Sequence, residues 1–335
     1  MDRHSAVRLR CCSMLSYFMT CLPNRHDYHQ RLLPYILSFF HDDNGGAQQM
    51  ALKCIEQCGQ QYEIEHPDDI IDRRQYGVDG DTSRCNYAAK LPHPFEYRPR
   101  LGARLFVRDN TKHFFKALLR EVSCSSWNMK TKHQSTSLLT NLVVYCEEYL
   151  TMGFADTLPL LAKGFNVARF ADNDIVLQSK FRLCFEVLGR FIDPETYVPL
   201  FLPRIRGDIN STTTFSEGST HSEKSRATYA LAFQCMLLGS LPERLYIYRE
   251  WIMDTFTSDE CIGQFVGSTC KVENIKALNV FLERISINDW ANKEEVMISS
   301  SLKERLHSVI SPIIDDEEED DDISLMAEKI RTILY

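Results

Sequence analysis

The chain has 335 residues, 44% of them apolar, ample for a sizeable buried core. Its formal charge of −8 sits in one run, Asp315 to Asp322 (DDEEEDDD); without that run the body is neutral, which gives no support to a nucleic-acid groove or an anionic-membrane surface. No stretch approaches the roughly 18 consecutive apolar residues of a membrane span, and the start MDRHSAVRLRCC lacks the apolar core of a secretory signal, so no membrane partner is expected.

Ser5 to Leu22 reads as the second helix of a unit, with Met14, Tyr17, Phe18 and Cys21 on one side. It looks uncapped, which suggests the C-terminal portion of a longer protein. Helices over Arg31–Phe40 and Gln48–Gln60 form the next unit, with Gly45-Gly46 in the turn. LLPYILSFF (Pro34), TLPLLAKGF (Pro159) and YVPLFLPRI (Pro199) are apolar runs with Pro near the start. HFFKALLREV is the same kind of run with Lys116 in place of Pro. Pro159 and Pro199 are 40 residues apart, and Lys116 lies 43 before Pro159. Each run is followed by a polar break and a second helix, as in LQSKFRLCFEVLGRF, where Leu177, Phe181, Cys184, Leu188 and Phe191 keep helical spacing. Asp172, Asn173 and Asp174 supply N-cap chemistry before that helix, and Asp193-Pro194 does so for the next. A helix–turn–helix period near 40, with a Pro kink in the first helix, predicts an all-α fold: an α-solenoid of stacked HEAT-type hairpins.

The domain organisation follows. Residues 1–60 hold HEAT-type repeats, the first partial. Residues 61–104 form an irregular insertion rich in Pro, Gly and charge, ending in RPRLG. Residues 105–310 return to HEAT-type repeats, with helices over Thr228–Leu241, Glu243–Phe256, Val272–Ile285 and Ser301–Ile310. Residues 311–335 hold the acidic run and a C-terminal helix from Ile323. The run is either an interaction tail for a basic partner or a solvated segment. Asn210-Ser211-Thr212 matches a glycosylation acceptor by chance, given no secretory signal.

No glycine-rich phosphate loop, HExxH, CxxC pair or GxSxG is present, so no catalytic residue, cofactor or metal is expected. Twelve scattered cysteines, including the i, i+4 pair Cys54 and Cys58, read as small core residues in a reducing compartment. Tyr246, Trp251 and Phe256 give their helix an aromatic face of the kind that packs into a core. Arg98 and Arg100, flanking Pro99, either grip a carboxylate-rich partner or bond repeat carbonyls as the loop packs back on the solenoid.

RPRLGARLFVRDN, then KALLREV, Trp127, Lys132 and SLLTNLVVYCEE resemble the C-terminal half of the repeat array in the HEAT-repeat dynein axonemal assembly factor family. Trp127, Lys132, Leu138, Leu139 and Glu147 fall at matching spacings, and the helix pair at 156–192 with Pro194 and Glu195 continues the likeness. Lys132 stands where the family tends to Arg, the many upstream repeats of family members are absent, and the Ser/Thr-rich stretch Asp208–Lys224 looks like an insertion. The resemblance implies a cytoplasmic, non-enzymatic factor for preassembly of axonemal dynein arms in motile cilia. Its partners would be axonemal dynein chains and other assembly factors or chaperones. Arg98, Arg100, Arg108, Trp127 and Lys132 are the candidate partner-binding residues, with the 98–110 loop docking on the repeat of Trp127. The alternative is a general solenoid adaptor of the transport or phosphatase-scaffold type. Nothing in the sequence specifies an oligomeric state.

Overall fold

The computed structural model describes residues 3–75, 85–124, 128–208, 223–286, seven positions between 304 and 314, and 321–334. Trp127, the Asn210 sequon, most of the Ser/Thr-rich stretch and residues 315–320 of the acidic run lie outside the described residues.

Among the described residues every regular element is helical. The order is α1 (Ser5–Thr20), α2 (His26–Ser38), α3 (Gly45–Glu65), α4 (Pro67–Gln75), α5 (Leu101–Thr111), α6 (Phe115–Ser123) and α7 (Met129–Cys146). Then come α8 (Phe154–Phe170), α9 (Ile175–Phe191), α10 (Pro194–Arg206), α11 (Glu223–Gly239), α12 (Pro242–Tyr246), α13 (Arg249–Phe256), α14 (Asp259–Ile262), α15 (Ser268–Ser286) and α16 (Asp321–Leu334). Short 3-10 turns follow α2 at Phe39–His41 and α7 at Glu147–Gly153. One layer stacks as α1, α3, α5, α7, α9, α11, α15 and α16, each against the next. The other holds α2, α8 and α10, whose internal prolines Pro34, Pro159 and Pro199 mark the first helix of a hairpin, together with α6 and its Lys116. This is the predicted α-solenoid.

The helix starts follow local chemistry. Asn44, Asn128, Asp174 and Asp193 each accept a backbone N–H of the first turn through the side chain, at 2.9 Å in their shortest contacts. Pro194 occupies the first helical position after Asp193, where no N–H is needed. Gly207, at φ 90°, takes the left-handed conformation that closes α10. Between them the apolar faces form one continuous core. Ring contacts join the two helices of a hairpin, as with Phe165 stacked on Phe181 at 5.3 Å and Phe201 against Phe233 at 5.5 Å, and Phe185 against Phe201 at 6.5 Å links one hairpin to the next.

Glycines set how closely the stacked helices approach. A methyl on Gly102 of α5 would lie 2.2 Å from the Gly59 carbonyl oxygen of α3, and one on Gly59 would lie 2.4 Å from the Ala103 nitrogen. The same reciprocal arrangement joins α9 to α11. There a methyl on Gly189 would meet the Met236 oxygen at 2.1 Å, and one on Gly239 the Glu186 oxygen at 2.0 Å. In each case the obstacle is backbone, which cannot swing aside.

Several boundaries differ from expectation: α2, α11 and α15 start four or five residues early, at His26, Glu223 and Ser268, and further differences have local causes. The helix expected to end at Gln60 runs on to Glu65, because QYEIE contains no breaker before Pro67. Pro67 then starts α4 with Asp68 and Asp69 in its first turn, favourable beside a helix N-terminus, so helix enters the 61–104 insertion from both ends. The helix read over Glu243–Phe256 is broken between Tyr246 and Arg249, where the Tyr248 N–H donates to Leu245. Phe256 is buried while Trp251 faces out at 41% exposure, so the aromatic face is only partly core.

His29 is buried; its Nε2 donates to the Met19 carbonyl at 2.9 Å and its ring meets Phe106 edge-on. Burial pushes its pKa below the usual value, so the folded state holds it neutral while the unfolded chain binds a proton below about pH 6.5. That stabilisation is complete above pH 6.5 and is lost as pH falls towards the folded pKa. The urea midpoint should therefore drop between about pH 7.5 and pH 5.5, less so in His29→Gln; an equal drop in the variant would place the effect elsewhere. Gly102→Ala should lower stability by about 2 kcal/mol despite the better helix propensity of Ala, read as a shifted urea midpoint. An unchanged midpoint would contradict the close-approach account.

Candidate functional site

The RPRLG segment and the end of α7 meet at one buried carboxylate. Glu147 terminates α7 with φ 47°, a backbone that non-glycine residues seldom adopt and that costs about 1 kcal/mol or more. The turn carries its side chain into the protein, where it is fully buried. Three guanidinium groups reach it. Arg98 binds it with a fork, Nε to Oε1 at 2.8 Å and Nη2 to Oε2 at 2.7 Å. Arg104 donates to Oε2 at 2.8 Å, and Arg108 donates to the same oxygen at 3.3 Å. Arg104 also bonds the Pro99 carbonyl, and Arg108 bonds the Tyr145 carbonyl and Glu148. Burial raises the Glu148 pKa, with Arg108 acting against that and Glu147 adding to it. The Arg98 guanidinium lies over the Tyr87 ring at 3.9 Å.

Arg100 faces the other way. It forks onto Glu63 of α3 at 3.2 and 2.9 Å, and Glu63 also accepts the Gly102 N–H at 2.9 Å. That N–H lies in the first turn of α5, so one carboxylate holds both Arg100 and the helix start. Lys132 is buried and reaches Asp172 at 2.5 Å, while the adjacent His133 bonds Asp174 at 2.6 Å. α7 is thereby tied to the turn between α8 and α9.

The segment before RPRLG runs across the ends of the stacked helices. The backbone N–H of Asn86 donates to the Arg190 carbonyl at 2.8 Å and its amide to the Gly239 carbonyl at 2.9 Å, while the Cys85 thiol lies 3.5 Å from the Phe191 carbonyl. These are carbonyls of the last turns of α9 and α11, which have no helical partner of their own. The Arg190 guanidinium returns a bond to the Lys90 carbonyl. Phe95 then packs edge-on against Phe40 and Tyr145 at 5.7 and 5.5 Å. Residues 85–98 thus form a strap from the end of α11, past α9, to the end of α7.

The structure gives each described candidate residue a partner within the chain. Arg98, Arg100, Arg108 and Lys132 all bind carboxylates of this chain; for the buried Arg108 and Lys132 a fixed counter-charge is required, while Arg98 and Arg100 are about one-third exposed. The loop packs back on the solenoid, and its arginines take side-chain acids as well as carbonyls. It docks on the end of α7, the repeat in which Trp127 precedes the helix; Trp127 itself lies outside the described residues. Arg104, Glu63 and Tyr87 were not singled out. Arg104 had a local signal, standing four residues from both Arg100 and Arg108 on one helix face, whereas Glu63 is 37 residues from Arg100 and had none. Asp174 is the helix cap as read, and Asp172 is the counter-ion of Lys132. Cys54 and Cys58 are buried, and among the described residues no group of three His, Cys, Asp or Glu side chains is placed to hold a metal.

Comparison with known proteins matches this region. The family model for the dynein axonemal assembly factor 5 HEAT-repeat domain covers residues 90–269, and one for dynein axonemal assembly factor 5-like TPR repeats covers residues 1–73. The first units, expected to be HEAT-type, therefore match a different class of helical hairpin. Among curated proteins, dynein axonemal assembly factor 5 of Homo sapiens is 27% identical over 202 residues, 60% of this chain and 22% of that one. Its Xenopus laevis counterpart is 25% identical over 205 residues, 61% of this chain and 23% of that one. The chain thus spans less than a quarter of the length of these relatives. A solved structure concerned with Kap95p and the switch loops of RanGDP aligns with 99% of this chain and 40% of its own, at 10% identity and TM-score 0.35, too low to support an argument. No described helix is long and apolar enough to cross a membrane.

Glu147→Gln keeps the shape and removes the charge, leaving three arginines without their shared anion. A loss of about 3 kcal/mol or more is expected in urea unfolding. Arg100→Ala, at a pair about one-third exposed, should cost about 1 kcal/mol or less. Equal costs would contradict the ranking.

Proposed function

The chain belongs to the dynein axonemal assembly factor 5 HEAT-repeat family, and from that premise we propose that it serves as a non-enzymatic cytoplasmic scaffold in the preassembly of axonemal dynein arms for motile cilia. The observation that carries this reading is the family match over residues 90–269, which includes most of the strap, the Glu147 cluster and the stacked helices up to the start of α15. A stack of helical hairpins suits the task, since successive units present an extended surface to an extended client. Its partners on this reading are axonemal dynein chains, other assembly factors and chaperones. Arg98, Arg100, Arg108 and Lys132 contribute by fixing the relative placement of α3, α5, α7 and α9, and so the shape of the surface these present.

Affinity capture from the cytosol of ciliating cells, followed by identification of the bound proteins, tests the proposal. Axonemal dynein chains and chaperones are expected in the catch. Import cargo or phosphatase subunits without dynein would favour the general-adaptor reading instead.

A further inference from the structure

A cleft of about 210 Å³ opens between the first unit and the helices α7 and α9. That is many times the space one water needs, and enough for a carboxylate side chain with its hydration. α1 contributes Arg8, the turn after α2 contributes Asp42 and Asp43, α7 contributes Lys130 and Ser137, and α9 contributes Lys180.

The charges lining the cleft are unevenly matched. Arg8 is committed to Asp42 by a fork at 2.7 and 3.1 Å, which neutralises both. Asp43 lies 3.7 Å from Arg8 with its side chain 99% exposed, so water screens its charge. Lys180 is different. It is half-buried, and its ammonium donates to two neutral acceptors, the Ser137 hydroxyl at 2.7 Å and the His133 carbonyl at 3.2 Å. An ammonium has three N–H donors, so one is left over. No described carboxylate lies within 4.0 Å of it. Asp174, whose charge acts on it from further off, is held by His133 and the start of α9. Burial lowers the Lys180 pKa, as expected of a cation short of counter-charge. Lys130 stands exposed at the rim, and it too has no ion pair among the described residues.

We infer that this cleft receives a carboxylate from an acidic peptide segment of a partner protein, seated on Lys180 with Lys130 at the rim. The inference rests on the scaffold reading and names a docking chemistry for it. The ligand is anionic because the unmatched groups are two ammonium ions, while Asp42 is paired with Arg8 and Asp43 is fully solvated beside it. A peptide fits better than a free ion because the cleft is open to solvent and lies on a repeat array, where neighbouring units can hold flanking residues.

The test measures fluorescent hexaglutamate binding to the full chain by anisotropy, with hexaglutamine as control and inorganic phosphate and acetate as competitors. Saturable binding of hexaglutamate, weakened by salt and absent for hexaglutamine, is expected. Lys180→Gln and Lys130→Glu should each weaken it by about tenfold, with circular dichroism unchanged. Lys130 is on the surface, so Lys130→Glu keeps the test decisive if Lys180→Gln folds poorly. Equal binding of the two peptides, or wild-type affinity in Lys130→Glu, would overturn the assignment. So would displacement by phosphate or acetate at concentrations matched in charge to the peptide, which would mean a site for small anions. Loss of dynein capture with hexaglutamate binding intact would count against the scaffold reading and support the cleft as a peptide site.

Discussion

The structure depends on a carboxylate that has no access to water. Glu147 sits at the end of α7 in a backbone conformation unfavourable for any side-chain-bearing residue, and it is held there by three arginines from one short stretch of chain. Burying such a charge alone would be prohibitive, and the cluster works because every component is present together. Arg98 is the last residue of the strap region before Pro99, while Arg104 and Arg108 lie on α5. One acid therefore fixes the strap, the inserted helix and the repeat of α7 relative to one another.

That arrangement explains why a chain with a 40-residue rhythm tolerates an irregular stretch between two repeats. α5 is not part of the hairpin series. It occupies a place in the stacked layer, packing on both α3 and α7, and the Gly59–Gly102 approach lets it lie close to α3. The strap then supplies donors to carbonyls at the ends of α9 and α11. Contacts in a solenoid usually run only between neighbouring units. Here residues 85–98 reach several units on, coupling repeats that would otherwise communicate only through the stack.

Much of the fold was legible in the sequence, because helical period, Pro placement and N-cap residues are local signals. The proline-marked first helices, the caps at Asp174 and Asp193, and the apolar face of α9 all appear where their spacing puts them. The site was legible in part. Arg98, Arg100 and Arg108 could be picked out, and Glu147 stood only among the positions that carry the family resemblance, yet their mutual pairing could not be read. An ion pair across 49 residues leaves no periodic trace, and an arginine beside a proline reads equally well as facing a partner or the protein's own interior. The path of the strap was hidden for the same reason: its bonds to Arg190 and Gly239 depend on where the stack places those carbonyls.

Amide hydrogen exchange on the wild type and on Glu147→Gln tests the central claim most directly. The account predicts that the variant loses protection at Asn86 and along residues 95–110, while the core of α9 and α11 keeps it. Unchanged protection across the strap and α5 in the variant would show that the carboxylate does not hold them, and would contradict the account.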